Sequence, residues 1–351
     1  MSIIPLFGHE ALRARLAELA DQGTLPATIL LQGPAGIGKQ RLALWLGQLL
    51  LCEAERKPCG SCQHCRLAET LQHPDLRWCF PQTRLTGERP DPDEVDEVIL
   101  AEIAERRDAH GLYERPDGTK GIYQYVAPLL VQLAAKSPSL AHRKVFVIGD
   151  AERMVPQASS PEMANAMLKL LEEPPANTTF ILTSSEPGTL LPTIRSRTVS
   201  FRVPPLSEAG VRTFLADSRV AAVVPNEPAD TLVRLAGGAP GTLIGDGTGE
   251  KSVTRARQIL AAADGGREAL FTTAFSMGSA GARGAFSDTL DALSVLLHEQ
   301  AREATARGDA SRAAWAVRAI PAVEDAKRAA EGNANPQLVT ARLLTTLAGA
   351  H

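Results

Sequence analysis

Short, largely apolar runs carry the strand signal in this chain. Thr28-Ile29-Leu30-Leu31-Gln32 is the first, and Asp75-Leu76-Arg77-Trp78-Cys79-Phe80, Lys144-Val145-Phe146-Val147-Ile148 and Thr179-Phe180-Ile181-Leu182-Thr183 follow. Strands apolar on both faces belong in a parallel sheet covered by helices on both sides, so the predicted fold class is α/β. Helical patterns stand between them. Arg41-Leu42-Ala43-Leu44-Trp45-Leu46 continues as one, and residues 161–173 carry a stripe at Met163, Met167, Leu170 and Leu171. Pro174-Pro175 stops that helix abruptly.

Beyond the last strand the pattern changes. Pro204-Pro205-Leu206-Ser207-Glu208 reads as a linker ending in a helix cap, which opens a small helical segment reaching Gly237-Gly238-Ala239-Pro240-Gly241. Gly245-Asp246-Gly247-Thr248-Gly249 reads as a flexible joint. Alanine-rich amphipathic patterns such as Ala313 to Ile320 and Leu338 to Leu347 then predict an all-helical end. The expected domains are residues 1–204, 205–249 and 250–351. The helix faces of the last could pack on other subunits or simply on one another. Residues 84–122, rich in charge and proline, read as a surface insertion with a short helix from Val95 to Arg106.

The chain has 351 residues, enough for two or three domains, and 44% hydrophobic content allows proper cores. Lys+Arg 37 against Asp+Glu 40 gives a formal net charge of -3, which lacks the basic excess of an autonomous nucleic-acid binder. Any DNA contact is expected to be local or shared with partners. Met1-Ser2-Ile3-Ile4-Pro5 has neither the charged start nor the apolar core of a signal peptide, and no apolar run approaches the roughly 20 residues that span a bilayer. A cytoplasmic location is expected, with no membrane partner.

The candidate chemistry begins at Gly33-Pro34-Ala35-Gly36-Ile37-Gly38-Lys39-Gln40. This is the phosphate-binding pattern G-x-x-x-x-G-K-[ST] in every position except the last. Glycines let backbone N–H groups close on phosphate oxygens, the lysine neutralises the terminal phosphates, and the final hydroxyl holds magnesium. Gln40 is not a usual replacement for that ligand. The strand before and the helix after supply the required setting. The plainer alternative is a Gly/Pro turn with no ligand. Gly33, Gly36, Gly38 and Lys39 are therefore the candidate nucleotide-binding residues, with ATP or ADP binding in doubt and hydrolysis more so.

Cys52-x6-Cys59-x2-Cys62-x2-Cys65 places four thiols within fourteen positions, and Gly60 allows the tight turn between them. A disulfide framework would be odd in this size and compartment. A closed tetrahedral site, with zinc the natural ion and iron the alternative, fits better. Four thiolates leave no open coordination position, so the metal would be structural. Buried apolar cysteines are disfavoured by the polar stretch 53–58 between them, whereas Cys79, alone on a strand, reads as a small core residue.

Three stretches together closely resemble bacterial clamp-loader subunits, the AAA+ components of the DNA polymerase III holoenzyme. They are Ala164-Asn165-Ala166-Met167-Leu168-Lys169-Leu170-Leu171-Glu172-Glu173-Pro174-Pro175, Phe180-Ile181-Leu182-Thr183-Ser184-Ser185, and Leu191-Pro192-Thr193-Ile194-Arg195-Ser196-Arg197. The cysteine spacing is shared by the gamma/tau and delta-prime groups, and the likeness runs from residue 1 to about 245. Asn333-Ala334-Asn335-Pro336-Gln337-Leu338 resembles the delta-prime tail. The resemblance implies an AAA+ parallel-sheet domain with an inserted zinc module, a helical lid domain and an all-α collar.

Motor subunits of this family carry an apolar strand ending in Asp and Glu. Here Gly149-Asp150-Ala151-Glu152 follows the strand, which puts glycine at the metal-ligand position and Asp150 at the catalytic one. Glu152, two residues further on, reads as a solvated charge at a helix start, and a shifted alignment makes Asp150 the metal ligand. The lid arginine of the motors is missing from 237–242. Ser196-Arg197 by contrast keeps the family's Ser-Arg-Cys element, with Thr198 for the cysteine. An arginine there implies a finger that stabilises charge on a phosphoryl group held by the next subunit. The plain alternative is a surface arginine like neighbouring Arg195 and Arg202.

The resemblance thus implies a delta-prime-type subunit that does not itself turn over ATP. Its partners would be the delta and gamma/tau subunits, with the beta sliding clamp and primer-template DNA engaged by the complex. Two rivals stand beside it. One is an active gamma/tau-type ATPase in which Gln40 is tolerated and Asp150 or Glu152 serves the metal; the other is a zinc-bearing nucleic-acid-binding module unrelated to ATP.

Overall fold

The computed structural model describes residues 2–85, 90–112, 120–154, 162–244, 248–265, 267–276, 283–331 and 334–349. They divide into two compact units, Met1–Val224 with Pro228–Ile244 and Pro225–Glu227 with Gly245–His351. Residues 245–247 of the expected joint and Asn333 of the tail motif lie outside the described residues.

One five-stranded sheet forms the centre of the first unit. Strands β1 (Thr28–Gln32), β2 (Leu76–Cys79), β3 (Lys144–Ile148), β4 (Thr178–Ser184) and β5 (Val199–Arg202) run in the order β2-β3-β4-β1-β5, and every pair is parallel. Every residue of β3 and β4 is buried, as expected of strands with helices on both faces. Phe146 and Phe180, cross-strand partners, stack with ring centroids 5.0 Å apart. β5 gave no apolar run to read: at the sheet edge it buries Phe201 alone. The helices Lys39–Leu51, Pro92–Asp108, Val126–Ala135 and Glu162–Glu172 carry side chains of the same core, among them Leu46, Ile99, Leu130 and Met167.

The expected surface insertion is in part core. Asp91 caps the helix Pro92–Asp108 by accepting the Asp93 N–H, and Val95, Ile99 and Ile103 recur one turn apart and are buried. The Arg106 guanidinium lies over the rings of Phe80 and Trp78. Asp93, Glu94, Glu97 and Glu105 of the same helix are exposed and gave the stretch its solvated look. Residues 86–89 and 113–119 of it lie outside the described residues.

Two buried charges fasten β2 and β3. The Asp75 carboxylate, just ahead of β2, accepts the backbone N–H groups of Ser139, Leu140 and Ala141 at 2.6, 2.7 and 2.8 Å. Lys144, at the start of β3, donates to the carbonyls of Leu133, Ala134 and Lys136 at the end of the helix Val126–Ala135. A cation at that end also opposes the negative pole of the helix dipole.

After β5, Ser207 caps the helix Glu208–Leu215 through the Gly210 N–H, as its position in the sequence predicts. That helix and Ala229–Ala236 share a small core of Val211, Leu232, Val233 and Leu243. The second unit is helical: Thr248–Ala263, Arg267–Ser276, Arg283–Ala306, Ala310–Glu331 and Pro336–Gly349 pack around Leu290, Leu297, Trp315, Val323 and Leu344. No helix among the described residues is long and apolar enough to cross a membrane.

Candidate functional site

In a parallel sheet all strands end on one edge, and loops leaving neighbouring strands meet there. The loop after β1, the turn after β3 and Ser185 after β4 converge in this way. Gly36 and Gly38 take φ of +75° and +90°, conformations that L side chains rarely adopt, and Gly38 caps the helix Lys39–Leu51. The first turn of that helix therefore presents backbone N–H groups and the positive end of a dipole, a setting suited to an anion. An apolar cleft opens beside the loop, lined by Ile4, Phe7, Leu112, Phe214 and Ile244.

Lys39 is almost wholly buried, and its Nζ donates to Pro34 O at 2.7 Å and to Ser185 Oγ at 2.9 Å. The Ser185 N–H in turn donates to Glu152 Oε1 at 3.0 Å. Glu152 is thus no solvated helix-start charge. Burial, then the nearby Asp150 carboxylate, push its pKa above the ordinary glutamate value. Ser185 drew no role from the sequence; the signal that finds it is its place at the end of β4, the strand beside β1. His9 was missed as well. Its Nε2 lies 2.8 Å from Ile37 O, and burial holds its pKa below the usual histidine value against that hydrogen bond. A neutral ring donating through Nε2 satisfies both facts.

At the metal end of the loop, Gln40 spans two partners. Its Nε2 donates to Asp150 Oδ2 at 3.0 Å, and its Oε1 accepts the Trp78 indole N–H at 3.1 Å. The amide lies where a side chain of residue 149 would stand: a Cβ on Gly149 would come within 2.2 Å of Gln40 Oε1. Asp150 itself has φ of 49° and donates its N–H to Thr183 Oγ1 at 3.0 Å. No hydroxyl stands at 40, no carboxylate at 149, and the carboxylate at 150 is engaged by the amide. These residues do not fit a magnesium ion.

The segment that lacks the lid arginine sits directly on the loop. The Gly241 N–H donates to Gly36 O at 2.8 Å, and a Cβ on Gly36 would lie 2.9 Å from Thr242 N. Thr242 Cγ2 would stand as close, at 2.8 Å from that Cβ, so the loop and the segment pack tightly at Gly36.

Arg197 follows the short helix Pro192–Arg195 and is not among the residues lining the cleft. Its Nε stands 3.0 Å from Glu172 Oε2 and its guanidinium donates to Thr193 O at 3.0 Å. Ser196 donates to that same carbonyl at 3.1 Å. The two side chains are held by their own short helix at the protein surface.

The four cysteines meet. The Sγ atoms of Cys52, Cys59, Cys62 and Cys65 all lie within 4.8 Å of one another, with Cys59–Cys65 and Cys52–Cys62 each 3.9 Å apart. Sulfurs around one ion at the usual Zn–S distance of about 2.3 Å would be about 3.8 Å apart. Backbone N–H groups of Cys59, Cys62 and Cys65 point at Cys52, Cys59 and Cys62 sulfurs at 3.4, 3.3 and 3.4 Å. The amide of Ser61, then that of Cys62, draw the Cys59 thiol down to about 5, whereas burial pushes Cys65 up. So many sulfurs cannot all ionise this close without a cation, and the donor set fits a structural metal. Cys79 is buried in the main core, with its pKa raised to about 12 by burial.

The profile of a family described as "DNA polymerase III, delta subunit" matches residues 8–207. Subunit delta' of DNA polymerase III from Pseudomonas aeruginosa is 35% identical over 233 residues, 65% of this chain and 58% of that protein. The Escherichia coli delta' subunit is 28% identical over 218 residues, 62% of this chain and 53% of that protein. The gamma/tau subunit from Mycobacterium tuberculosis is 28% identical over 243 residues, 68% of this chain and 35% of that protein. The chain thus spans little more than half the length of these delta' relatives. A gamma subunit-related protein of known structure from Thermotoga maritima is 14% identical, with a TM-score of 0.47 over 96% of this chain and 98% of that one, a likeness too weak to decide anything.

Proposed function

The chain belongs to the DNA polymerase III delta-subunit family, and on that premise we propose that it is a delta'-type clamp-loader subunit, one that does not turn over ATP itself and supplies Arg197 to a neighbouring ATPase site. The observation that carries this reading is the division between two places on the molecule. The loop site has lost its metal-bearing side chains, while Ser196 and Arg197 persist outside the cleft, directly after a short helix. An arginine finger given in trans needs no working nucleotide site in the donor.

The partners on this reading are the delta and gamma/tau subunits, and through the assembled complex the beta sliding clamp and primer-template DNA. Location is cytoplasmic. Residues 205–249 act as the lid and 250–351 as the collar on which subunits assemble. Cys52, Cys59, Cys62 and Cys65 hold zinc, which supplies a cross-link for a loop too polar to pack by itself. Gly33, Gly36, Gly38 and Lys39 keep a phosphate loop whose occupancy does not lead to hydrolysis.

The test is the DNA- and clamp-stimulated ATPase rate of a loader reconstituted with matching partners, with wild type and Arg197→Ala compared. Arginine fingers contribute about 10³–10⁵ in turnover at the site they serve. We expect a silent chain alone and a large drop in the mutant assembly. Turnover by the chain alone, abolished by Lys39→Ala, points instead to the gamma/tau-type motor. An unchanged mutant assembly removes the finger.

A further inference from the structure

We propose that Gln40 and Gly149 are a matched pair in which a side-chain amide has taken the place of the divalent cation, so that any phosphate this loop accepts is taken without a metal. The proposal deepens the non-hydrolysing part of the reading above and rests on it only in treating 33–40 as a phosphate loop.

The sequence presents Gln40 and Gly149 as two separate losses. The structure makes them one device. Gln40 Oε1, Cδ and Nε2 would lie 2.2, 2.5 and 2.8 Å from a Cβ at 149, so the amide fills the volume that a carboxylate side chain there would need. Retreat is not free, because the amide is tied at both ends, to the Trp78 indole N–H and to Asp150 Oδ2. Glutamine at 40 and glycine at 149 are therefore sterically matched, and a side chain at 149 needs the amide gone.

Both alignments of the turn after β3 lead to the same result. If residue 149 is the metal position, it has no side chain. If Asp150 is, its Oδ2 already accepts the Gln40 amide, and its N–H is fixed on Thr183 Oγ1. A magnesium ion wants hard oxygen ligands in near-octahedral order, whereas the Nε2–H of Gln40 presents a donor towards Asp150. The helix N-terminus is untouched by this exchange, and its N–H groups need no metal to face a phosphate. The chemical class such a site suits is a phosphate anion or nucleotide free of its cation.

Manganese is the probe, read by electron paramagnetic resonance on the full chain with its cysteine site loaded, in the presence and absence of ADP. For wild type we expect the spectrum of manganese with ADP to be the same with and without protein. A protein-bound manganese–ADP signal in wild type overturns the proposal, and needs no variant to do so. In Gln40→Thr/Gly149→Asp the bound signal is expected to appear, and Gln40→Thr alone, which frees Asp150, shows it only where Asp150 is the metal position. A double variant that is folded by its melting curve and still silent overturns the assignment to this pair. The outcome is separable from the Arg197 test. Bound manganese in wild type leaves the finger standing, and a finger that fails leaves this pair standing.

Discussion

If Gln40 and Gly149 share one volume, their substitutions must couple in a measurable way. Gly149 is not in the positive-φ region, so alanine there has no backbone penalty and only the collision at 2.2 Å to face. Relief requires Gln40 to leave, which breaks the Trp78 bond at 3.1 Å and the bond to the Asp150 carboxylate at 3.0 Å. A neutral hydrogen bond contributes about 0.5–1.5 kcal/mol and one to a charged group about 1.5–3 kcal/mol. Gly→Ala at a compatible backbone returns about 0.4–1 kcal/mol by narrowing the unfolded ensemble. Gly149→Ala should then cost about 2–3 kcal/mol. Gln40→Ala should cost somewhat more, and the double variant about what Gln40→Ala costs or slightly less. The resulting coupling of about 2–3 kcal/mol sits at the upper end for residues in contact. Urea unfolding followed by tryptophan fluorescence measures it. Trp45 and Trp78 report on the first unit, and a Trp315→Phe background removes the signal of the second. Additivity within about 0.5 kcal/mol would refute the shared volume.

Asp75→Ala strands three N–H groups and should cost about 3–5 kcal/mol in the first unit, with Asp75→Asn keeping part of that. Burial raises the Asp75 pKa, but the N–H groups of Ala141, Ser139 and Leu140 together outweigh it and leave it lowered. Its stabilisation is thus complete above the unfolded value of about 3.9 and is lost as pH falls below that, so in acid unfolding curves the gap between wild type and Asp75→Asn closes. His73 works in a higher window. Burial draws its pKa to about 4, so the unfolded chain binds a proton that the native one refuses, and stability declines as pH falls from the unfolded value of 6.5 towards 4. His73→Asn should flatten that decline in a urea series across this range. Cobalt added to metal-stripped protein should bind at one ion per chain with the intense visible bands of tetrahedral thiolate ligation, and Cys65→Ser should weaken them; bands typical of six oxygen ligands would contradict the cluster. Arg197→Ala should shift the unfolding free energy of the isolated chain by less than about 1 kcal/mol, since its pair with half-exposed Glu172 is a surface ion pair. A large shift would mean that any loss of turnover in the assembly reflects folding.

The amino-acid sequence by itself determined whatever depends on neighbours along the chain. The strand, glycine loop and helix at 28–51 follow from local pattern, as does the Ser207 cap, and the short cysteine spacing brings four sulfurs together because the loop is too brief for them to be elsewhere. The tertiary structure decided what depends on distant segments sharing space. β5 was illegible because an edge strand that buries Phe201 alone has no period to show. The helix Ala310–Glu331 runs through Pro321, past the pattern Ala313 to Ile320 that the sequence shows. Ser185 and Glu152 join Lys39 only because β4 and β3 end beside β1. Gln40 and Gly149, read as two unrelated departures from a pattern, become one filled volume only when a turn 109 positions away (149 minus 40) is folded against the loop. Periodicity and motif record the chain's preferences for itself, and steric exclusion between remote residues leaves no mark in either.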